Sequence, residues 1–257
     1  MSLIVNADDF GKSAEINRAI TECFEKGYIN RTTVMVNMPF AEEAFEIATE
    51  NGFADKVGIH LNLTDGKPLT DGIKFNPDFC DISGNFNAAF FHSKKKRLHM
   101  NKESVEDIAA EFKAQLDRYR ELGFTLDHVD SHHHVHTNFP MYKALKMLSD
   151  EYYFTSIRLS RNLYKGGSIV NRLYKSFYNK KIKKICEKTS DYFGLFSDAL
   201  DYFGTNTTDT KAEFNSFCNK YDLEIMVHPM YKDGVLVDEM STDSYVPFEK
   251  EILLYEI

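Results

Sequence analysis

The sequence predicts an α/β protein that folds as a distorted TIM-like β/α barrel with mainly parallel strands. Short apolar, β-branched stretches alternate with helix-periodic stretches along most of the 257 residues. This alternation is typical of parallel sheets whose crossover connections are helices. Chemically useful polar residues also follow several predicted strands. Because a β/α barrel carries its functional site at the carboxyl ends of its strands, this placement favours a barrel over an open sheet.

The first part of the chain contains three predicted strands and two predicted helices. Ser13 is a suitable N-cap for the first helix, and Gly27 follows its end. The β-branched and apolar runs predict strands, whereas apolar residues spaced three and four apart predict helices. The strands are predicted at 3–5, 32–38 and 57–63, and the helices at 16–24 and 41–49.

The second part continues the same alternation. Ser104 begins the most regular helix of the sequence, which has one continuous apolar face and ends at Gly123. Pro140 suits the first turn of another helix. Strands are predicted at 124–129, 155–160 and 223–227, and further helices at 141–148 and 211–221.

Two segments interrupt this pattern. Residues 65–103 lack clear periodicity and include the basic run Lys94 to Arg97. We interpret them as an insertion or lid over the barrel mouth, within a single catalytic domain that covers residues 1–257. Residues 161–188 are rich in lysine. The favoured interpretation is a solvated helix face, and the alternative is a surface that steers an anionic substrate.

Composition excludes several classes of protein. A net charge of −8 argues against a general nucleic-acid binder, which needs basic excess to neutralise phosphates. The four cysteines are far apart and are expected to be reduced. The N-terminus lacks the pattern of a signal peptide, and no apolar run suits a membrane helix. We expect a soluble, cytoplasmic protein that does not associate with membranes.

Four predicted strand ends outside the histidine-rich run carry candidate functional residues. Asp8 and Asp9 are adjacent carboxylates that repel, so a partly buried pair needs a cation or a shared proton. The alternative is that one of them caps the following helix. His60, Arg158 and His228 end or follow other strands. A histidine there can bind a metal or transfer a proton, and the arginine can orient an anionic group.

The run DHVDSHHHVH, residues 127–136, is the densest candidate metal site. If the chain stays extended, Asp130, His132, His134 and His136 share one side, and His133 points to the other. Several imidazoles from one short segment do not readily converge on one ion. We therefore expect one or two metal ligands here, while the other histidines contact the ligands without binding the metal themselves.

Four motifs together resemble the YdjC/ChbG-like carbohydrate deacetylases. NADDFG, GIHLNLT, HVDSHHHVH and EIMVHP occur in that family's order between residues 6 and 229. The resemblance implies a distorted β/α barrel with one divalent metal ion, magnesium or zinc, at the carboxyl ends of the strands. It implies hydrolysis of the N-acetyl group of a small carbohydrate, such as a chito-oligosaccharide, by attack of metal-activated water. It also suggests a homodimer.

The resemblance assigns the central residues of the site by motif. Asp9, His60 and His132 become the metal ligands, an open set that suits catalysis. Asp8 becomes the general base. His228 is our candidate for the acid that protonates the leaving amine.

The remaining assignments concern supporting residues. Arg158 is expected to hold or tune the catalytic carboxylate, and Asp130 to orient an imidazole ligand. His134 and His136 are expected to line the pocket or support the ligands from behind. Sugar rings commonly stack on aromatic side chains, but we interpret the candidates as core or lid residues. These candidates are Phe10, Phe90, Phe91 and Tyr164.

Two alternatives remain open, of which the second belongs to another functional class. One is a different metal-dependent barrel hydrolase, either an amidohydrolase or a phosphoesterase. Amidohydrolases usually carry H-x-H after the first strand, where this chain has Asp8 and Asp9. The other alternative is a metal-binding or sugar-binding protein without catalysis. The second aspartate argues against it, because a pure binder needs no base.

Overall fold

The computed structural model describes residues 2–125, 128–163, 167–203, 208–239 and 246–247. Seven parallel strands form one curled sheet in the order β5-β4-β3-β2-β1-β7-β6, which makes a half-barrel. The predicted α/β class and distorted barrel are confirmed, although a regular TIM barrel has eight strands. The strands are β1 Leu3–Phe10, β2 Arg31–Val34, β3 Val57–Leu61, β4 His128–Ser131, β5 Ser156–Ile157, β6 Tyr192–Leu195 and β7 Leu223–Val227.

The two edge regions of the sheet are joined by connecting segments. The backbone N–H groups of Asn162 and Leu163, which follow β5, both donate to the carbonyl oxygen of Phe193 in β6 at 3.0 Å. The N–H of Lys188, before β6, donates to the carbonyl of Thr155 at 3.0 Å. These bonds draw the curled sheet around on itself without a full ladder between its edges.

Helices follow most of the strands, as the alternating pattern predicts. Ser13 caps the first helix, because its hydroxyl accepts from the backbone N–H of Ile16. Asn101 rather than Ser104 caps the longest helix, and Gly123 ends it with φ 106°. The helices are α1 Ala14–Glu25, α2 Ala41–Glu50, α3 Asp71–Lys74, α4 Lys94–Leu98, α5 Lys102–Leu122, α6 Phe139–Leu148, α7 Ile169–Ile182, α8 Phe196–Phe203 and α9 Thr208–Cys218.

No helix in the described part of the chain combines the length and apolar character that a membrane span requires.

Several predicted strand boundaries are wrong. The strand predicted at 32–38 ends at Val34, and the one predicted at 155–160 covers only β5. The strand predicted at 124–129 begins at His128, and residues 126 and 127 lie outside the described residues. In each case a β-branched or apolar run extends past the point where the chain leaves the sheet. A hydrophobic run indicates that residues are buried, not that they pair in a sheet, and here the burial continues into the following loop.

Other elements were not predicted from the sequence. Strand β6 is a short apolar run that leads directly into helix α8, and such short runs do not distinguish strand from helix. Three short strands also follow β7 and form a separate antiparallel sheet. They are β8 Pro229–Lys232, β9 Val235–Asp238 and β10 Val246–Pro247.

The insertion at residues 65–103 is held to the rest of the chain near both of its ends. The buried carboxylate of Glu111 in α5 accepts hydrogen bonds from the backbone N–H groups of Leu69 and Thr70, at 2.9 to 3.0 Å. At the other end, Nε of Arg97 donates to Oδ1 of Asn138 at 2.8 Å. Asn138 follows β4, so the insertion is held against the segment that leaves the sheet.

The basic segment forms helix α7, as the favoured interpretation predicts. Tyr178 and Ile182 on its inner face are buried, whereas Lys180 is exposed. The hydroxyl of Tyr178 donates to the backbone carbonyl of His136, which ties this helix to the histidine-rich segment. The outer face also exposes apolar side chains such as Leu173, so it is not wholly charged.

Gly58 in β3 lies too close to β4 for any side chain. A Cβ atom there would lie 2.8 Å from the carbonyl oxygen of His128 and 3.0 Å from Cγ2 of Thr33. Because both neighbours belong to packed strands, Gly58→Ala should lower the free energy of unfolding by about 1–3 kcal/mol in urea denaturation. Gly72→Ala is the control, since its Cβ would meet only the movable carboxylate of Asp107. Equal stability of the two variants would contradict the prediction.

Candidate active site

Residues from three separated strands meet at the carboxyl end of the sheet. Asp9 lies near the end of β1, His60 near the end of β3, and His132 directly after β4. Oδ1 of Asp9 lies 3.2 Å from Nε2 of His60 and 2.8 Å from Nδ1 of His132. All three side chains are buried. The structure therefore brings together the three residues that the motifs assign as metal ligands.

An irregularity in β1 lets two adjacent aspartates face the same interior. Three residue steps along β1, from Ala7 to Phe10, match only two steps along β2, so β1 contains one extra residue. Asp9 takes up the irregularity with φ 72°, an uncommon conformation for a residue with a side chain. In a regular strand Asp8 and Asp9 would point to opposite faces. Here their carboxylates lie 3.9 and 3.2 Å from the same atom, Nε2 of His60.

The hydrogen bonds of His60 determine which ring nitrogen faces the cluster. Nδ1 lies 2.7 Å from Oδ1 of Asp130 and 3.1 Å from the hydroxyl of Thr33. An ionised carboxylate only accepts, so the proton lies on Nδ1. Nε2 is then the ring nitrogen that faces Asp9 and is placed to bind a metal ion. This carboxylate–imidazole arrangement is the one that commonly supports a metal-binding histidine.

The cluster fits a divalent metal ion. Oδ1 of Asp9 and Nε2 of His60 are buried 3.2 Å apart, and neither atom makes a hydrogen bond of normal geometry within the described part of the chain. One ligand atom from each of Asp9, His60 and His132 lies within 4.8 Å of the others. Although burial lowers it, the negative charges of Asp130 and Asp8 raise the pKa of His60 to about 10. The same field that favours a proton on this imidazole favours a metal cation beside it.

Arg158 holds Asp8 from behind the cluster. Its Nη1 and Nη2 donate to the two carboxylate oxygens of Asp8 at 2.7 and 2.8 Å, and its Nε donates to Oε1 of Glu224 at 2.5 Å. Burial alone would raise the pKa of Asp8, but Arg158 and His60 outweigh it and hold that pKa well below its usual range. Nη1 of Arg158 also lies 2.8 Å from Oδ2 of Asp130. One guanidinium thus joins three buried carboxylates.

His228 lies between β7 and the antiparallel hairpin. Its backbone N–H donates to Oδ1 of Asp238, the last residue of β9, at 2.7 Å. Its Nδ1 is buried and has no hydrogen-bond partner among residues 2–125, 128–163, 167–203, 208–239 and 246–247. A positive charge on the ring of His228 lowers the pKa of Asp8.

The histidine-rich run does not stay extended, so side chains do not alternate along it. The chain leaves β4 after Ser131 and turns through residues 132–137, where His133 and His134 adopt left-handed conformations with φ 52° and 53°. His133 does not point away from the site. Its ring lies 4.0 Å from the ring of His132, centroid to centroid.

His134 and His136 occupy different surroundings. His136 is fully buried, with Nδ1 2.5 Å from the hydroxyl of Ser131 and Nε2 3.0 Å from the carbonyl oxygen of Arg158. It therefore positions the strand end that carries Arg158. The ring of His134 lies 5.6 Å from that of Phe193, and burial lowers its pKa well below the usual range. His134 is thus a neutral group beside the site.

Three residues of the site were not predicted. Nζ of Lys12 lies 3.2 Å from Oδ2 of Asp9, so an ammonium group reaches the cluster. The hydroxyl of Thr33 bonds both His60 and Asp130. Glu224 completes the partners of Arg158. The available signal for Glu224 was a single charged residue inside the apolar stretch LEIMV, which indicates a buried and therefore paired carboxylate.

Comparison with known proteins establishes the family. The model of the YdjC-like protein family matches residues 2–252. The chain belongs to the YdjC-like family. The resemblance carried by the four motifs is therefore confirmed over nearly the whole sequence.

Individual relatives agree with this assignment. A protein of Thermoanaerobacter pseudethanolicus is 30% identical over 98% of this chain and 90% of its own length. One of Clostridium beijerinckii is 33% identical over the same shares of the two chains. Both are named carbohydrate deacetylases. A crystal structure from Enterococcus faecalis V583, provisionally described as a cellobiose-phosphate cleavage protein, superposes with a TM-score of 0.64. It is 26% identical and covers 90% of this chain and 82% of its own.

Acid should weaken the fold through His136. Burial, together with the charge of Arg158, lowers the pKa of this imidazole from 6.5 to about 4. Because the folded pKa is the lower one, the unfolded chain binds more protons in this window, and stability falls as the pH falls from 6.5 towards 4. We predict that wild-type protein loses about 2 kcal/mol more unfolding free energy than His136→Gln between roughly pH 7 and pH 5.

Urea denaturation at the two pH values measures this difference. Glutamine keeps a hydrogen-bond donor and acceptor but does not titrate. The substitution therefore removes the protonation of residue 136 and retains its capacity for hydrogen bonding. His99→Gln, at an exposed histidine of the insertion, should lose as much stability as the wild-type protein. An equal loss in the His136→Gln variant would show that His136 does not govern the acid sensitivity.

Proposed function

We propose that this protein is a metal-dependent carbohydrate deacetylase. Its substrate is an N-acetylglucosamine-containing sugar such as a chito-oligosaccharide, from which it hydrolyses the acetyl group. The observation that carries the proposal is the convergence of Asp9, His60 and His132, with Asp8 held ionised beside them. The curated relatives named carbohydrate deacetylases support the same reaction class.

We further propose that Asp9, His60 and His132 hold one divalent ion. Two imidazole nitrogens and one carboxylate oxygen suit zinc, and magnesium is the alternative. When bound, such an ion polarises the acetamide carbonyl and lowers the pKa of a nearby water molecule. Asp130 and Thr33 contribute by holding His60 with Nε2 turned towards the cluster.

Asp8 is the proposed general base. Arg158 binds both of its oxygens and keeps the carboxylate ionised and aligned. A carboxylate with so low a pKa is a weak base, so a divalent ion held by Asp9, His60 and His132 would need to make the attacking water more acidic. The role of Arg158 is therefore to orient Asp8, whose carboxylate keeps a negative charge beside the attacking water.

His228 is the proposed general acid. The amine of the sugar leaves only when it is protonated, and an imidazole is a common proton donor for such a step. The buried Nδ1 of His228, without a hydrogen-bond partner in the described ranges, is available for proton transfer. Asp238 holds the backbone of His228 in place.

The phosphorylated form of a disaccharide is a second candidate substrate. The structural neighbour from Enterococcus faecalis is provisionally described in terms of cellobiose phosphate, which favours testing phosphorylated sugars beside neutral ones. Another amidohydrolase or phosphoesterase activity and non-catalytic sugar binding remain the alternatives. The single catalytic domain, the cytoplasmic location and the homodimer stay predictions.

Replacement of Asp8 tests the proposed base. We predict that Asp8→Asn lowers kcat for acetate release from N-acetylglucosamine, chitobiose or their phosphates by about 10²- to 10⁴-fold, because the base is lost. Metal content should stay unchanged. Asp71→Asn, at an exposed aspartate of the insertion, should keep full activity. Full acetate release by the Asp8→Asn variant would reject the assigned base, and no release by wild-type protein from any sugar would reject the activity.

Replacement of Asp130 tests the proposed metal site. We predict that Asp130→Asn weakens binding of Zn²⁺ about 10- to 100-fold in calorimetry, because His60 loses the carboxylate that orients it. Asp55→Asn, on the outer surface, should bind Zn²⁺ like wild-type protein. If Asp130→Asn binds Zn²⁺ with wild-type affinity, then Asp130 does not support a metal ligand.

A further inference from the structure

A row of planar side chains leads from the metal cluster to the insertion. The ring centroids of His132 and His133 are 4.0 Å apart, with planes inclined by 32°. The centroid of Phe91 lies 5.9 Å from that of His133, at an inclination of 37°. The guanidinium of Arg97 lies over Phe91 at 5.0 Å. An insertion residue is thus connected to the proposed site by successive ring contacts.

His133 is held in a strained conformation at this position. Left-handed backbone is unfavourable for residues with side chains, and here it occurs at both His133 and His134. Such strain persists only where the surroundings impose it, and it concentrates at functional sites. The hydroxyl of Thr64 lies 3.0 Å from Nδ1 of His133, which fixes the ring. The ring is exposed, and its Nε2 has no hydrogen bond within the described ranges.

Phe91 differs from the other aromatic candidates. Phe10 and Phe90 are fully buried in the core, as the sequence interpretation expects, and Tyr164 lies outside the described residues. Phe91 is only partly buried and contacts His133. Because its neighbour Phe90 anchors the turn in the core, Phe91 is presented at the edge of the site.

We propose that Phe91 and His133 form a wall, hereafter the aromatic wall, against which the sugar ring of the substrate lies. Pyranose rings carry apolar C–H faces that pack on aromatic rings, and hydroxyls that need hydrogen-bond partners. Phe91 supplies the first contact and the free Nε2 of His133 the second. The inference rests on the proposed function, because the wall positions the sugar whose acetamide reaches His132.

The wall is organised before any substrate arrives. Nε of Arg97 is bonded to Oδ1 of Asn138, which keeps the guanidinium over Phe91. The buried carboxylate of Glu111 holds the start of the insertion against α5. A rigid wall binds more tightly than a mobile one, since less conformational entropy is lost. The insertion thus selects the sugar, while the strand ends perform the chemistry.

Substitutions in the wall separate sugar binding from catalysis. Phe91→Ala removes the ring, and His133→Asn removes the imidazole but keeps a residue that tolerates left-handed backbone. Phe75→Ala is the matched control, because Phe75 lies in the same insertion and is 79% exposed. The probe is N,N′-diacetylchitobiose, with acetate release measured kinetically, binding by calorimetry and metal content by elemental analysis.

We expect Phe91→Ala and His133→Asn each to raise KM and Kd about tenfold while kcat changes less than about threefold. Metal content and the Phe75→Ala control should match the wild-type protein.

Unchanged KM and Kd in both variants would overturn the aromatic wall, although acetate release by wild-type protein would still support the deacetylase. A fall in kcat alone would also overturn it. Chitobiose binding that depends on Phe91 would preserve the wall even if wild-type protein released no acetate from any sugar, a result that would reject the deacetylase. Failure of wild-type protein to bind chitobiose would overturn the wall.

Discussion

The interior of this barrel depends on one buried guanidinium. Arg158 bonds Asp8 and Glu224 and lies 2.8 Å from Asp130, so it connects β1, β4 and β7 through their side chains. Each buried carboxylate would cost several kcal/mol without a partner. Because the guanidinium has five donors in a planar fork, it can satisfy three acids at once, which an ammonium could not do in the same geometry. The usual apolar barrel interior is replaced by this charged network, and the cluster of Asp9, His60 and His132 lies directly beside it.

The same network separates the roles of two adjacent aspartates. The extra residue in β1 turns both side chains inward, and their different neighbours then distinguish them. Asp8 is bonded through both oxygens to Arg158 and stays ionised, whereas Asp9 faces two imidazoles and the ammonium of Lys12. Identical carboxylates in different surroundings commonly divide catalytic work in this way. His60 contacts both halves, since Asp130 behind it is also a partner of Arg158.

Much of the fold and site was predictable from particular residues. Ser13, Gly123 and Pro140 predicted helix ends because caps are local, and the motifs predicted which side chains would converge. The turn at residues 132–137 was not predictable, since left-handed histidines are stabilised by distant contacts such as that between His133 and Thr64. The position of Phe91 could not be derived either. It depends on how the aperiodic insertion packs on α5 through Glu111. In the sequence, Glu111 cannot be distinguished from the other charged residues of that helix.

By itself, the sequence determined the α/β class, the order of most elements and the set of residues available for chemistry, because periodicity, caps and motifs are local properties of the chain. Only the tertiary structure decided which atoms face one another. The extra residue in β1, the register between strands and the turn after Ser131 bring together groups as far apart in sequence as Asp9 and His132, which are separated by 123 positions. Such convergence depends on backbone geometry summed over several strands, and no local pattern in the sequence encodes that sum.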